Sequence, residues 1–186
     1  MGSKHADVEF RRILVPVEFS ELSEAAEATA LAMAQKLGAS VHALHVIEPL
    51  DVLQGDPEVD RFYKKLEKQA AEALSALAGR FEARGIPFTC DVIIGHRWSV
   101  IVGQAEERNS DLIIIGSRGL EEGDPLVGLG STSHRVAFQA PCPVMMVAPH
   151  SLERRRQPRS APNVNEDSRQ AVPAARGRSG SPRRAR

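Results

Sequence analysis

A chain of 186 residues, 42% of them apolar, has length for one ordinary core with an appendage and is short for two tandem domains. The formal net charge of zero hides an asymmetry, because residues 1–149 carry 14 Lys and Arg against 21 Asp and Glu, whereas residues 150–186 carry 10 Arg against three acids. No stretch approaches the ~18 uninterrupted apolar residues of a membrane span, and MGSKHADVEFRR at the front lacks a signal-peptide core and has Ala6 where a myristoylation motif needs Ser or Thr.

These features lead to the expectation of a cytoplasmic protein without a transmembrane segment. The two cysteines, Cys90 and Cys142, have no metal-type spacing and fit a reducing compartment; both are expected to be small, buried hydrophobes.

In chain order, RRILVPVE (residues 11–18) is a short run rich in β-branched residues and bounded by charge, the pattern of a buried strand. Ser20 then offers an N-cap, an Ala- and Leu-rich stretch follows, and Gly38 stops it, which predicts a helix. SVHALHVIE (residues 40–48) reads as a second strand, and Pro57 opens a long amphipathic helix that runs to Gly85. PFTCDVIIG (87–95) is a third strand, WSVIVGQAEERN (98–109) a third helix and DLIIIG (111–116) a fourth strand. After a glycine-rich run, STSHRVAFQA (131–140) makes a short helix and CPVMMVAP (142–149) a fifth strand.

Five strands separated by helices predict an α/β fold: an open five-stranded parallel, doubly wound sheet of Rossmann-like type, with helices on both faces. Such sheets take ligands outside the carboxyl ends of their strands, where the strand order reverses. Residues 11–149 are expected to form this domain, after a short N-terminal extension of residues 1–10. Residues 150–186 lack aromatic residues and are rich in Arg, Pro and Ser, so the tail is expected to be disordered. Its ten arginines fit either an anionic partner, nucleic acid or membrane, bound through counterion release, or a weak contact with the acidic body.

The fourth strand ends on Gly116, and the next residues, SRGLEEGDPLVGLGSTS, are dense in glycine and hydroxyl side chains. Gly116 and Gly119 allow a turn with close backbone approach to a ligand, and Gly128 and Gly130 precede Ser131, Thr132 and Ser133 at a helix start, where N–H donors and the helix dipole favour a phosphate. The same pattern also describes a plain turn followed by an N-cap. Arg118 is either a phosphate contact or a solvated loop arginine. His134 is expected to be exposed, and His42 and His45, three apart on one strand, point to opposite faces and make no metal pair. Trp98 is expected to anchor the third helix.

VPVEFSELSEAAEATALAMAQKLGASVHALHVIEP, IIIGSRGL and GLGSTSHRVAFQAPCPVMMVAP together resemble the universal stress protein family, an adenine nucleotide alpha hydrolase-like fold, across roughly Arg11 to Pro149. That family's ATP-binding members carry Gly-x-x-Gly, nine residues, then Gly and Ser or Thr. Here Gly116, Gly119 and Gly130 take those places with ten residues in the interval, and Glu121, Glu122 and Asp124 lie within it. The resemblance implies ATP, or AMP, with Mg2+ where a triphosphate is bound. Phosphate contacts would come from Gly116, Arg118, Gly119, Gly130, Ser131, Thr132 and Ser133. It also places Pro16, Val17 and Glu18 at the nucleoside, with Glu18 in the position of an aspartate, and Val46 against adenine, a residue that reads equally as strand core. Phe19, where a glycine is usual, would either stack beside the base or fill part of its pocket. Gly95 would leave space at the same edge.

The residues offer no nucleophile elbow, no Ser/His/Asp set and no Lys after the last glycine, so a nucleotide sensor is expected rather than an enzyme, with slow ATP hydrolysis the remaining catalytic option. The resemblance further implies a homodimer through the last strand, Val144 to Val147. The other reading is a nucleotide-free dimeric module of the same fold, its pocket closed by Phe19.

Overall fold

Strands and helices alternate through the residues that the computed structural model describes, which are 9–50, 57–117 and 131–148. The elements are β1 (Arg12–Pro16), α1 (Glu21–Leu37), β2 (Ser40–Ile47), α2 (Pro57–Glu82), β3 (Phe88–Ile94), α3 (Arg97–Glu107), β4 (Leu112–Gly116), α4 (Ser131–Gln139) and β5 (Val144–Val147). All strand pairs are parallel, in the order β3-β2-β1-β4-β5. The chain therefore winds outward from β1 to β3, returns to the middle at β4, and winds outward again to β5. The reversal falls between β1 and β4.

Side chains alternate across each strand, so parity divides the core in two. Ile13, Val15, Val41, Ala43 and Ile114 pack with Ala26, Ala30, Leu74 and Phe81 on the face covered by α1 and α2. Leu14, Leu44, Val46, Ile113 and Ile115 pack with Ile101, Ala105 and Val136 on the face of α3 and α4. Burial on both faces is why the central strands read as unbroken aliphatic runs rather than as an alternation.

α1 begins where the sequence places it, through a different group. Ser20 has the extended backbone of an N-cap (φ −116°, ψ 166°). Its hydroxyl makes no hydrogen bond. Instead Ser23 Oγ accepts the Ser20 N–H at 3.0 Å and donates to the Ser20 carbonyl at 2.9 Å. Gly38, at φ 64°, ends the helix with its N–H on the Ala34 carbonyl, a left-handed conformation that glycine adopts without a Cβ penalty.

Cys90 departs from expectation. It is exposed, because β3 has, among the described residues, a strand neighbour on one side alone, while Cys142 is half-buried against the α3 and α4 face. Partial desolvation by the neighbouring strand and helix atoms, aided by the Asp91 charge for Cys90 and the Asp111 charge for Cys142, pushes both thiols up and keeps them poor nucleophiles at neutral pH. The two strand histidines serve opposite faces as expected. His42 Nδ1 meets Thr89 Oγ1 at 2.8 Å, and His45 Nδ1 lies 2.8 Å from the Val17 carbonyl, which can only accept, so His45 carries its proton on Nδ1. The tail from residue 149 onward and the glycine-rich residues 118–130 lie outside the described residues.

Candidate functional site

The carboxyl ends of β1, β2 and β4 and the first turns of α3 and α4 surround a cavity of about 160 Å³. It lies at the reversal of strand order, where an open α/β sheet leaves a crevice because the chains on either side depart in opposite directions. Beyond the strand ends the main chain is still held. Val17 N–H donates to the Leu44 carbonyl at 2.9 Å, and Ser117 N–H donates to the Val147 carbonyl at 2.8 Å.

Seven residues singled out from the sequence line this cavity: Pro16, Val17, Glu18, Val46, Gly116, Thr132 and Ser133. Val46 and Ser133 are buried, and Thr132 is half-buried in the first turn of α4. Ser131 opens α4. Arg118, Gly119 and Gly130, with the acids Glu121, Glu122 and Asp124, lie outside the described residues.

Phe19 does not fill this cavity. Its backbone is left-handed, at φ 56°, and turns the side chain to the α2 side of the sheet. There it stacks on His45 with ring centroids 4.8 Å apart and planes 29° apart. It lines a separate open groove of about 540 Å³ with Phe62 and Leu66 of α2, not the cavity. Gly95 is likewise corrected. A Cβ there would stand 2.7 Å from Val100 Cγ2, so the space is occupied by the packing of α3 rather than left for a ligand. His134 is exposed, 4.7 Å from the Phe138 ring, and Trp98, half-buried, packs against the core beneath the Arg135 guanidinium at 5.8 Å, tying α3 to α4.

Arg97 was not singled out by sequence reasoning, although it lines the cavity. Its Nε stands 3.7 Å from Glu18 Oε1 and its Nη1 3.7 Å from Glu48 Oε2. Nε is buried without a hydrogen-bond partner. The sequence did contain a signal: a cation in the turn that follows a strand, at the sheet end where ligands bind. Ser117, Ser23, Leu44, Ile101 and Ile115 complete the lining and were also missed. Leu44, Ile101 and Ile115 read as ordinary core, and only their height in the sheet distinguishes them.

Among the described residues no three His, Cys, Asp or Glu side chains gather to hold a metal ion, and no helix is long and apolar enough to cross a membrane.

Chains of known family share this fold. Residues 9–148 match the model of the universal stress protein family. A universal stress protein of Thermus aquaticus is 33% identical over 143 residues, covering 74% of this chain and 98% of the relative. Universal stress protein MJ0531 of Methanocaldococcus jannaschii is 29% identical over 140 residues, covering 74% and 82%. Among solved structures, hypothetical protein MJ0577 superposes with a TM-score of 0.67 at 26% identity, covering 76% of this chain and 97% of that one. A universal stress protein family protein from Arabidopsis thaliana with AMP bound has the same fold, with a TM-score of 0.56 at 18% identity over 75% and 91% of the two chains. With a match over three quarters of its length and a fold to agree, the chain belongs to the universal stress protein family.

Proposed function

We propose that the chain binds ATP or a related adenine nucleotide in the cavity at the reversal point, and that it acts as a stress-response sensor through dimerisation and partner binding. The observation that carries this reading is the convergence on one cavity of Gly116, the first turn of α4 and the Pro16-Val17-Glu18 end of β1. A helix start directs N–H donors and positive dipole toward an anion, and a glycine at the strand end lets a phosphate come close to the main chain. Val46 supplies an apolar wall for a base. Glu18 supplies an acceptor for the nucleoside. Arg118, Gly119, Gly130 and Ser131 complete the proposed phosphate loop, and Mg2+ would enter on the phosphates. A cavity of about 160 Å³ is smaller than the ~300 Å³ at which sites begin to enclose drug-sized ligands, so it suits a base with the sugar and phosphates at its mouth. The AMP held by the Arabidopsis thaliana family protein is in keeping with this.

Isothermal titration with Mg-ATP and with AMP tests the reading. Saturable binding is expected, and Phe19→Gly is expected to leave the affinity within about twofold, because Phe19 lines the other groove. Absence of heat at millimolar nucleotide would remove the reading.

The dimer has its own support, with or without nucleotide. β5 is an edge strand, Met146 is 42% exposed on it, and Phe138 of the neighbouring α4 is 78% exposed. An apolar edge of this kind favours pairing with a second copy. The basic tail is proposed to contact an anionic partner; loss of salt-sensitive retention on an anionic resin after removal of residues 150–186 is the expected sign.

A further inference from the structure

Arg97 stands between the two hollows at the top of the sheet. Arg97, Glu18 and Val46 line both the cavity at the reversal point and the open groove on the α2 side. At 3.7 Å from each of Glu18 and Glu48, the guanidinium is within ion-pair reach of both carboxylates and beyond hydrogen-bond distance of either. Its Nε–H is buried and unbonded. A planar group with five donors is thus held in place by charge while part of its hydrogen-bonding capacity goes unused.

The local charge decides which ligand group fits. Two carboxylates and one guanidinium sum to minus one, so an added phosphate would be repelled. A neutral group that both donates and accepts is matched. A ribose cis-diol is such a group: its hydroxyl hydrogens suit a carboxylate and its oxygens suit an N–H donor. The side chains of Glu18, Glu48 and Arg97 are each about half exposed, which leaves them reachable from the cavity mouth.

We propose that Arg97, acting with Glu18, determines sugar specificity: it favours a nucleotide whose ribose has a free cis-diol over one with a 2′-deoxy sugar or with a phosphate on the 2′ or 3′ oxygen. This rests on the adenine-nucleotide reading given above. The test is isothermal titration of the full chain and of Arg97→Met with ATP, 2′-deoxy-ATP and a 3′-phosphorylated adenosine nucleotide. The native chain is expected to prefer ATP over 2′-deoxy-ATP by about tenfold or more, the scale of one hydrogen bond to a charged group. In Arg97→Met, which keeps the aliphatic stem, the preference is expected to fall below about threefold. Arg97→Lys should not restore it, since a point charge lacks the guanidinium fork. Equal affinity of the native chain for ATP and 2′-deoxy-ATP overturns the sugar reading and leaves nucleotide binding intact. An unchanged preference in Arg97→Met overturns the role of Arg97. Should that variant fail to fold, the comparison within the native chain still decides the sugar reading. Binding of no nucleotide at all removes the adenine-nucleotide reading and this one with it.

Discussion

Phe19 has a left-handed backbone at φ 56°, which costs a residue with a Cβ about 1 kcal/mol relative to the right-handed regions. Its stack on His45 offsets a comparable amount. The turn keeps Glu18 at the cavity while sending the next side chain to the opposite face, so the two neighbours serve different hollows. His42 shows a second environment effect. It is buried beside Thr89, and burial, with the Arg108 guanidinium as a second cause and Asp91 opposing, lowers its pKa to about 4. Arg108 itself holds the Asp91 carboxylate. In the unfolded chain the imidazole returns to about 6.5, so between these two values the unfolded state binds more protons. His42 therefore contributes full stability above pH 6.5, and that contribution is lost as pH falls toward 4, on the order of 3 kcal/mol in all. Urea unfolding at pH 7, 5.5 and 4 is expected to show this decline in the native chain and a shallower one in His42→Gln; an equal slope in both would assign the acid lability elsewhere.

At the scale of elements, the site depends on how closely α3 lies over the end of β3. Gly95 joins the two, and Val100 Cγ2 occupies the place of its missing Cβ. Gly95→Ala must therefore displace a stiff, β-branched side chain one turn into the helix, and with it the first turn that carries Arg97. A loss of about 1–3 kcal/mol is expected, the usual cost of overpacking. Thermal unfolding should show most of it recovered in the double variant Gly95→Ala, Val100→Ala, because the second change removes the obstructing methyls. Failure of that rescue would place the cost in the backbone rather than in the contact. α1 and α4 illustrate a different point: both begin at the carboxyl ends of strands, so a fold that alternates parallel strands with helices brings helix starts and strand ends to one side of the sheet.

For the whole molecule, the sheet order leaves two edges among the described residues, β3 and β5. The β3 edge carries Asp91, tied to Arg108, whereas β5 presents Val144 to Val147 without a charged residue. The proposed dimer follows from that contrast, and Met146→Lys should convert a dimer to a monomer in light scattering after size exclusion, since a charge on an edge strand opposes pairing. A native chain that elutes as a monomer would end the proposal. The sequence by itself determined the alternation of strands and helices, because apolar period, caps and glycine stops are local properties. Element limits fell within a few residues of the expected ones, as for 111–116 against Leu112–Gly116. It also determined the side of the sheet on which to look, since every glycine and hydroxyl of interest follows a strand. Tertiary structure alone decided which residues meet. Phe19 left the cavity through a backbone angle, Gly95 proved to be packing space for a residue five positions on, Cys90 became exposed because β3 stands at an edge, and Arg97 met Glu18 and Glu48 from a third segment of chain. Those outcomes depend on distances between segments far apart in sequence, which no local pattern encodes.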